Sequence, residues 1–593
     1  MLPARRKVVR TVLLGVAVTV VAFIAARWVR GVYFDAPITF SGETGMRYWE
    51  VARTSYARGQ GFPTWDRSVC GGTPYLGNPE SPVLSALVAG LFGVHGDVLD
   101  RWYPTVACAL SILGTYLWGR RAIGLGPIPA LFAGVVVIAS GFISLQISAR
   151  MFYVPFVWIP WVLYFARVGE RDVRAAAATG VVIAVMVLEG GLVPALHAIL
   201  ALLMVTLPRM FNVKEAGPWP ITRLLGIAAV FFVLFSGVKL FPVLVQLERW
   251  PRPLDEHDAL KWTELLPMLI DRERFDGLAG HRYHFNEYRA YVGPMITGMA
   301  IAGAGSALIL KPRRWWLFAF MLFALLLTRG RYSETSPYAL ITKLPVFNQL
   351  EVPSRLVVIA SIAIAGCAAV ALDAAMKASK NKWLAGLLVA IAAVGLNDVV
   401  GEGKKIEKAQ SGDPWLPRPD PPARPYSIVS GDDFARNATY PARNVGAIGC
   451  IHVINRPDAV GLQPGDHAQA WVDGADVGTV AAANVTQNAY QLHVTMARAG
   501  VVHIDQAWDP DWTSSAGTVR RGPTGLIDVA LPAGAQVIDV AYRARGATSG
   551  FVATMVAALA MVLLLLAPAL RRRRAIARAT ALPKIAPPAG TPA

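Results

Sequence analysis

Apolar segments of membrane-spanning length recur along almost the whole chain, and they constrain its fold more than any other feature. About twelve segments are long enough to cross or nearly cross a bilayer. Of the 593 residues, 54% are hydrophobic and only 16% are charged, which repeated spans explain and a soluble fold of this size does not. We therefore predict an α-helical polytopic membrane protein. The predicted spans lie near residues 10–30, 102–119, 128–147, 151–168, 174–189, 191–208, 222–246, 291–310, 314–328, 355–376, 382–399 and 549–570.

Basic residues fall in short clusters between these segments, although the formal net charge is +18. If the spans simply alternate, all the clusters lie on one side, which the positive-inside rule makes cytoplasmic. We predict a multi-pass protein of the bacterial inner membrane with both termini cytoplasmic and its active face extracytoplasmic. Membrane topology accounts for the charge, so we expect no nucleic-acid partner. The clusters are Arg5–Arg10, Arg120–Arg121, Arg167–Arg174, Arg209–Arg223, Lys311–Arg314, Lys377–Lys382 and Arg571–Arg574.

The outward segments are long and rich in aromatic residues, Pro and Gly, whereas every cytoplasmic loop is too short to fold a nucleotide-binding domain. The chemistry is therefore expected in the membrane or outside it, where a substrate has to arrive already activated on a lipid carrier. A shorter apolar stretch near 82–95 predicts an interfacial or re-entrant helix. The predicted outward segments are 32–101, 247–290, 329–354 and 400–548.

The last outward segment, 400–548, predicts a sandwich-like all-β domain. Short runs of alternating apolar and polar residues, such as 490–496 and 536–542, are typical of strands with one buried face. Asp473-Gly474 between two such runs indicates a hairpin. We therefore divide the chain into a transmembrane domain 1–399 with a large first outer loop, the β-rich domain, and a final helix with a basic tail at 549–593.

The four cysteines form no CxxC pair or zinc-binding spacing. Cys108 and Cys367 lie inside apolar segments, where packing is the expected role. Cys70 and Cys450 lie in polar outward segments, so a disulfide between them is one alternative and two free thiols the other.

Five passages in order along the chain resemble the GT-C superfamily of polyprenyl-phosphate-sugar-dependent glycosyltransferases and, within it, the bacterial YfhO-like membrane proteins. At the fourth passage the family often has Arg-x-Pro-x-Arg, whereas this chain has Glu351 in place of the first Arg and keeps Arg355. The passages are GQGFPTWDRSVCGGTPYLGNPESPVLSAL (59–87), LEGGLVPALHAIL (188–200), YRAYVGPM (288–295), LPVFNQLEVPSRLVV (344–358) and HIDQAWDPDWTSSAG with the following strands (503–546).

The resemblance implies an inverting glycosyltransferase that moves a monosaccharide from a polyprenyl phosphate to a glycan, lipid or polymer of the cell envelope. Such a reaction needs a carboxylate to take the proton of the attacking hydroxyl, and the family places it in the first outer loop. Glu43, before a predicted amphipathic helix, ranks first, and Asp35, just beyond the first span, ranks second.

Cationic groups are expected to stabilise the leaving phosphate. Lys239 lies within a predicted span, while Arg355 and Arg150 lie at the ends of others. Snorkelling of Lys239 and interfacial anchoring by the two arginines are the structural alternatives. A divalent cation such as Mg²⁺ or Mn²⁺ is a candidate cofactor, but no firm ligand spacing exists, and the mixed segment 250–290 also fits an amphipathic helix on the membrane.

Four further polar residues are secondary candidates. Glu50 lies two helical turns beyond Glu43 on the same face. Asp66 follows Trp65 and fits a turn cap. Glu189 ends a span before two glycines, and His197 follows a short distance on, so the two could pair across the break.

Two other classes of function stay open. A transporter or lipid flippase is one, although no repeated halves or paired broken helices are evident. A catalytically silent scaffold for envelope assembly is the other, and the acid at position 351 favours it.

Overall fold

A computed structural model describes most of the chain at the level of individual residues. The described residues are 2–31, 43–149, 151–211, 217–251, 258–272, 281, 287–309, 314–344, 346–350, 352–377, 382–409, 427–429, 445–447, 462 and 469–581.

The described residues form a bundle of helices that is joined to a β-sandwich. Several helices begin at a proline, whose fixed φ and missing N–H suit the first helical position. The helices are α1 Leu2–Val29, α2 Glu43–Ala57, α3 Leu84–Phe92, α4 Gly96–Trp118, α5 Pro127–Ala139, α6 Gly141–Ala149, α7 Ile159–Gly169, α8 Val173–Leu188, α9 Leu192–Met210, α10 Pro218–Phe235, α11 Gly237–Arg249, α12 Trp262–Ile270, α13 Pro294–Ile309, α14 Trp315–Thr328, α15 Pro337–Ile341, α16 Val357–Lys377, α17 Lys382–Ala409 and α18 Ala547–Ala581.

Each predicted span contains helix, but the count of twelve spans is not confirmed. Within the described residues, five helices are long and apolar enough to cross a membrane, or six if the pair Pro127–Ala139 and Gly141–Ile147, bent by 52°, is one span. These helices mark the chain as a membrane protein. The predicted segment 222–246 is broken into α10 and α11, and the stretch near 82–95 forms only the short helix α3. The five helices are Leu192–Met210, Pro218–Phe235, Pro353–Lys377, Ala385–Lys408 and Ala547–Ala569.

Glycines let several helix pairs approach to backbone contact. A Cβ on Gly180 of α8 would lie 2.1 Å from the carbonyl oxygen of Ala228, and one on Gly303 of α13 would overlap the Cys367 carbonyl of α16. A Cβ on Gly550 of α18 would likewise lie 2.2 Å from the carbonyl oxygen of Gly237. Helices in lipid gain no hydrophobic drive from association, so such close packing is a main source of their stability.

The break between α10 and α11 is satisfied by a side chain of the final helix. The Thr554 hydroxyl donates to the Phe235 carbonyl at 3.1 Å and accepts from the Val238 amide at 3.0 Å. Backbone groups freed by a break inside a membrane need such partners, because lipid offers none.

Helix α17 extends past the predicted boundary at residue 399 and ends at Ala409. Its extension carries carboxylates that bind arginines from distant segments. Glu407 pairs with Arg30 at 2.9 Å, and both side chains are buried, while Glu402 pairs with Arg289 at 3.1 Å. These ion pairs hold the helix against the end of α1 and against the segment before α13.

The β-domain is a sandwich of two four-stranded antiparallel sheets, as its alternating pattern predicts. One sheet has the order β10-β11-β8-β5 and the other β6-β7-β12-β9. The predicted strands at 490–496 and 536–542 are β7 and β12, which pair with each other. The strands of the described residues are β1 Trp65–Asp66, β2 Thr73–Pro74, β3 Ser427–Val429, β4 Val445–Ala447, β5 Ala470–Val472, β6 Gly478–Val485, β7 Ala489–Met496, β8 Gly500–Ala507, β9 Trp512–Ser514, β10 Thr518–Arg521, β11 Leu526–Leu531 and β12 Gly534–Tyr542.

The predicted hairpin at Asp473-Gly474 is wrong, although the turn exists. Gly474 has a φ of 95°, as a tight turn requires, but β5 and β6 on either side belong to different sheets. The turn therefore carries the chain across the sandwich. A local Asp-Gly signal fixes the change of direction and does not fix which strands pair.

We predict that Gly550→Ala lowers the thermal stability of the purified protein, because the added methyl group meets the backbone of Gly237 and Val238. Overpacking of this kind costs about 1–3 kcal/mol. Gly386→Ala on α17 is the matched control, since its methyl group meets nothing within 4 Å. Thermal unfolding in one detergent measures both variants, and equal midpoints would contradict close packing of α18.

Candidate functional site

Helix α2, where the first-ranked candidate base lies, begins at Glu43. The side chain of Glu43 and the whole of Asp35 lie outside the described residues. The next turns of α2 are buried: Tyr48 and Trp49 are 2% and 1% exposed. The helix that carries Glu43 is therefore packed on both sides of its axis and cannot rotate without breaking these contacts.

Glu50 is a structural group within this helix. Its carboxylate accepts a hydrogen bond from the Gly96 amide at 2.8 Å, at the first residue of α4, where a negative charge also complements the helix dipole. The guanidinium of Arg53 donates to the other carboxylate oxygen at 2.7 and 2.9 Å. Glu50 thus joins α2 to α4, and its oxygens are engaged.

Asp66 is fully buried and caps its own turn, as the structural alternative predicts. One carboxylate oxygen accepts from the amide and hydroxyl of Ser68 at 2.9 and 2.5 Å. The other lies 3.1 Å from a guanidinium nitrogen of Arg47 on α2. The Arg47–Asp66 ion pair thereby connects the start of α2 to the loop that follows it.

Lys239 on α11 is fully buried and anchors the loop 75–81. Its ammonium group donates to the carbonyl oxygens of Asn78 and Tyr75 and to the hydroxyl of Ser81. An ammonium group has three protons, and these acceptors use all of them. Phosphate binding by Lys239 would require this loop to move, so its predicted role as a donor-phosphate ligand stays a prediction.

The same loop is tied back to α2 by tyrosines. The Asn78 amide donates to the Tyr48 hydroxyl at 2.8 Å, and the Tyr75 hydroxyl donates to the Tyr48 carbonyl at 3.1 Å. The Tyr48 and Tyr75 rings meet edge to face with centroids 5.4 Å apart. Lys239 therefore fixes α2 through loop 75–81, at the Tyr48 position of the helix.

Glu189 binds the start of α3 and has different partners from His197. Its two carboxylate oxygens accept from the amide and hydroxyl of Ser85 at 3.0 and 2.6 Å. Ser85 in turn accepts from the indole N–H of Trp49 at 2.9 Å. The next residue, Gly190, has a φ of 77°, and a Cβ there would overlap the Glu80 carbonyl. The glycine at this break therefore allows loop 75–81 to lie directly against the helical bundle.

His197 on α9 and Arg355, just before α16, are both buried. The Nδ1 atom of His197 contacts the Val193 carbonyl at 2.8 Å, and its Nε2 atom is buried with no hydrogen-bond partner among the described residues. Arg355 forks onto Glu287 with two hydrogen bonds of 2.7 Å and lies over the Tyr153 ring. The Arg355 fork is the geometry that binds a phosphate, but here a carboxylate occupies it. Arg150 and Glu351 lie outside the described residues.

Trp65 of the first outer loop is part of the β-sandwich core. Its side chain is 0% exposed and packs against Trp512 and Tyr542, with ring centroids 5.1 and 4.6 Å away. The indole N–H donates to Gln506 at 2.8 Å. Asn488 accepts from the backbone of Thr64 at 2.7 Å, so the loop docks through its main chain as well.

Residues on either side of Trp65 extend this docking. After Trp65, Arg67 donates to Gln469 and lies over the Tyr490 ring at 4.8 Å, and the Gly71 carbonyl accepts from the Ala507 amide at 2.7 Å. Before Trp65, the Phe62 carbonyl accepts from the side-chain amide of Asn488 at 3.0 Å. Cys70 is disulfide-bonded, whereas Cys108 and Cys367 are free and buried. Cys450, the remaining cysteine of the sequence, lies outside the described residues.

The segment before α13 holds a separate cluster around His281. Its imidazole contacts Asp258 at 2.9 Å and Glu264 at 3.3 Å, and Tyr288 donates to Asp258 at 3.0 Å. Burial acts to lower the pKa of His281, but the hydrogen bonds and charges of Asp258 and Glu264 outweigh it and raise that pKa. Within the described residues, no group of three or more His, Cys, Asp or Glu side chains could hold a metal ion. The described residues therefore provide no such ligand set for the candidate Mg²⁺ or Mn²⁺.

Four residues that organise this region escaped the sequence analysis as functional candidates: Arg47, Trp65, Asn78 and Glu287. Trp65 has the clearest signal, because a Trp in a Pro-rich polar loop needs an apolar partner from elsewhere in the chain. Arg47, Asn78 and Glu287 have partners elsewhere in the sequence, so no local sequence pattern identifies them as important.

We predict that Trp65→Ala destabilises the β-sandwich, because the truncation leaves a cavity between Trp512 and Tyr542. Removing a buried Trp costs about 3–5 kcal/mol. Limited proteolysis of the β-domain should show much faster cleavage, while Trp383→Ala, at a residue that is 91% exposed, should resemble wild type. Equal cleavage of the two variants would show that the sandwich closes without the first loop.

We predict that Lys239→Met destabilises loop 75–81, because the carbonyl groups of Tyr75 and Asn78 lose their buried donor. Each unsatisfied buried polar group costs about 1–3 kcal/mol. The matched control is Lys382→Met, at an exposed position of α17. Hydrogen exchange of the amides in loop 75–81 reports the effect, and protection as in wild type would argue against the anchoring role.

Comparison with known proteins finds structural similarity to solved structures, but no match to a family model or to a curated protein. A cryo-EM structure of the arabinofuranosyltransferase AftD from Mycobacteria is similar at 17% identity and a TM-score of 0.43, over 67% of this chain and 26% of that one. Two structures of an AftD mutant give 17% and 16% identity with TM-scores of 0.42, over 65% and 64% of this chain. The chain spans only about a quarter of the length of these structures, between 26% and 28%.

Proposed function

We propose that the chain is an inverting glycosyltransferase of the GT-C type, related to the YfhO-like proteins. It transfers a monosaccharide from a polyprenyl phosphate to a glycan, lipid or polymer acceptor on the extracytoplasmic side of the inner membrane. The observation that carries the proposal is the immobilisation of α2 and its loop. The membrane bundle holds them through Lys239 and Glu189, and the β-sandwich holds them through Trp65.

Immobilisation matters because a general base works only from a defined position. Glu43 begins a helix that the Arg47–Asp66 ion pair and the buried Tyr48 and Trp49 hold in place. In the proposed mechanism its carboxylate takes the proton from the acceptor hydroxyl as that oxygen attacks the anomeric carbon. Asp35 is the second candidate for this role. Polyprenyl phosphate then leaves from the opposite face of the sugar, which inverts the anomeric configuration.

Stabilisation of the leaving phosphate is assigned to Arg355. Its guanidinium binds a carboxylate in the forked geometry that suits two phosphate oxygens equally well, and Glu287 is the group a phosphate would replace. Arg150 is a further candidate. We assign Lys239 to positioning the first loop, since its protons are directed at that loop.

The test is turnover of radiolabelled polyprenyl-phosphate sugars by the purified full chain, with donor binding measured in parallel. General-base catalysis contributes about 10²–10⁴-fold, so Glu43→Gln should lower kcat by at least 100-fold while donor binding persists. Glu334→Gln, at another carboxylate of an outward segment, is the matched control and should retain activity.

Loss of turnover in Asp35→Asn with normal Glu43→Gln would move the base to Asp35. Full activity in the double variant would reject both residues. Failure of the wild type to bind any polyprenyl-phosphate sugar would reject the glycosyltransferase itself.

A further inference from the structure

Three arginines from three helices converge on one acidic residue at an end of the helical bundle. Glu170, in the turn between α7 and α8, is buried, and its carboxylate accepts from Arg209, in the last turn of α9, at 2.9 and 3.2 Å. Arg167, in the last turn of α7, donates to the same carboxylate. Arg223, in the second turn of α10, donates to the Glu170 carbonyl at 3.0 Å. The three guanidinium groups therefore meet around a single residue.

Positive charge exceeds negative charge in this arginine cluster. The segments 167–174 and 209–223 together contain six basic residues and three acidic ones. The side chains of Arg209 and Glu170 are only 11% and 6% exposed, so water screens these charges incompletely. The Nε–H of Arg223 is buried and has no hydrogen-bond partner among the described residues. Since partly buried charges need counter-ions and the two segments contain too few, the cluster favours binding of a further anion.

The arginine cluster lies where two helices of membrane-spanning length meet. Leu192–Met210 ends here and Pro218–Phe235 begins here, and both are long and apolar enough to cross a membrane. Trp219, the second residue of the latter helix, is 72% exposed. An exposed Trp at the end of a spanning helix is typical of the membrane–water interface, where the lipid head groups lie. Lipid phosphates are therefore the anions that surround the cluster most closely.

We propose that the arginine cluster binds the phosphate of an anionic phospholipid, on the side of the membrane that the positive-inside rule makes cytoplasmic. Arg223 donates to one phosphate oxygen through its Nε–H, and Arg167, whose side chain is 32% exposed, donates to another. An anionic lipid is favoured over phosphatidylcholine, because a quaternary amine would add positive charge where it is already in excess. The cluster shares no residue with α2, loop 75–81 or Arg355, so this site does not depend on the glycosyltransferase proposal.

The experiment is native mass spectrometry of the purified full chain, titrated with phosphatidylglycerol or with phosphatidylcholine of the same acyl chains. Wild type should bind phosphatidylglycerol more tightly. Loss of a hydrogen bond to a charged group lowers affinity by about tenfold or more, so Arg223→Gln should weaken phosphatidylglycerol binding by at least that factor. Arg121→Gln is the matched control, since it removes an exposed arginine from another cluster of the same predicted side, and it should bind as wild type does.

Equal losses in Arg223→Gln and Arg121→Gln would overturn the proposal, because they would show a general attraction of the basic surface for anionic lipid. Equal binding of the two lipids by wild type would overturn it as well. Soluble glycerophosphoglycerol is the third ligand, and its binding as tightly as the intact lipid would assign the cluster to a soluble phosphate instead.

Arg223→Lys answers the case in which the Gln variant does not fold. Its ammonium group keeps the charge and a donor for the Glu170 carbonyl, but it lacks the forked guanidinium. We expect this variant to bind phosphatidylglycerol several-fold more weakly than wild type. Unchanged binding would contradict recognition of the phosphate by Arg223.

Discussion

A buried ammonium group sets the geometry on which the first outer loop and helix α2 depend. The Lys239 side chain is fully buried, so its protons need acceptors within the protein, and loop 75–81 supplies them. A charge in such a place tolerates little change in its surroundings, since each lost hydrogen bond leaves both partners unsatisfied. The loop is consequently fixed to α11, and α2 is fixed to the loop through Tyr48.

The first outer loop is held by two different parts of the molecule. On the side of the helical bundle, Lys239 binds its carbonyls, Glu189 binds Ser85, and Gly190 lies against the chain at Glu80. On the side of the β-sandwich, burial of the Trp65 ring is combined with hydrogen bonds, such as the one that its indole N–H donates to Gln506. The loop therefore joins the β-domain to the helical bundle.

The sequence predicts the elements well and their partners poorly. The periodicity and the length of apolar runs predict helices and strands, because secondary structure depends on residues that are neighbours in the chain. The alternation of apolar and polar residues correctly identifies β7 and β12 as strands. The same criteria predict twelve spans, whereas five or six helices of the described residues are long and apolar enough to cross a membrane, so apolar composition alone does not separate a spanning helix from a buried one such as α5. The extension of α17 to Ala409 escapes them, because arginines from elsewhere, such as Arg30, stabilise it.

The candidate site shows the same division. Lys239, Glu189 and Asp66 can be singled out, because a charge in an apolar or aromatic setting is conspicuous in any sequence. Their roles cannot be predicted from the sequence, since each role depends on a residue far along the chain. Lys239 depends on Asn78, and Glu189 depends on Ser85. Glu189 and His197 are close in sequence and still have different partners, because the break at Gly190 turns the chain between them.

The break between α10 and α11 has a consequence for biosynthesis. Its freed backbone groups, at Phe235 and Val238, bind the hydroxyl of Thr554, which is synthesised much later. The partners of Trp65, Trp512 and Tyr542, are also synthesised long after it. A nascent chain emerges from its N-terminal end, so early helices enter the membrane long before these partners exist. The unfinished bundle must be kept from misassembly in the interval, and the fold is completed only when the last helix has been inserted.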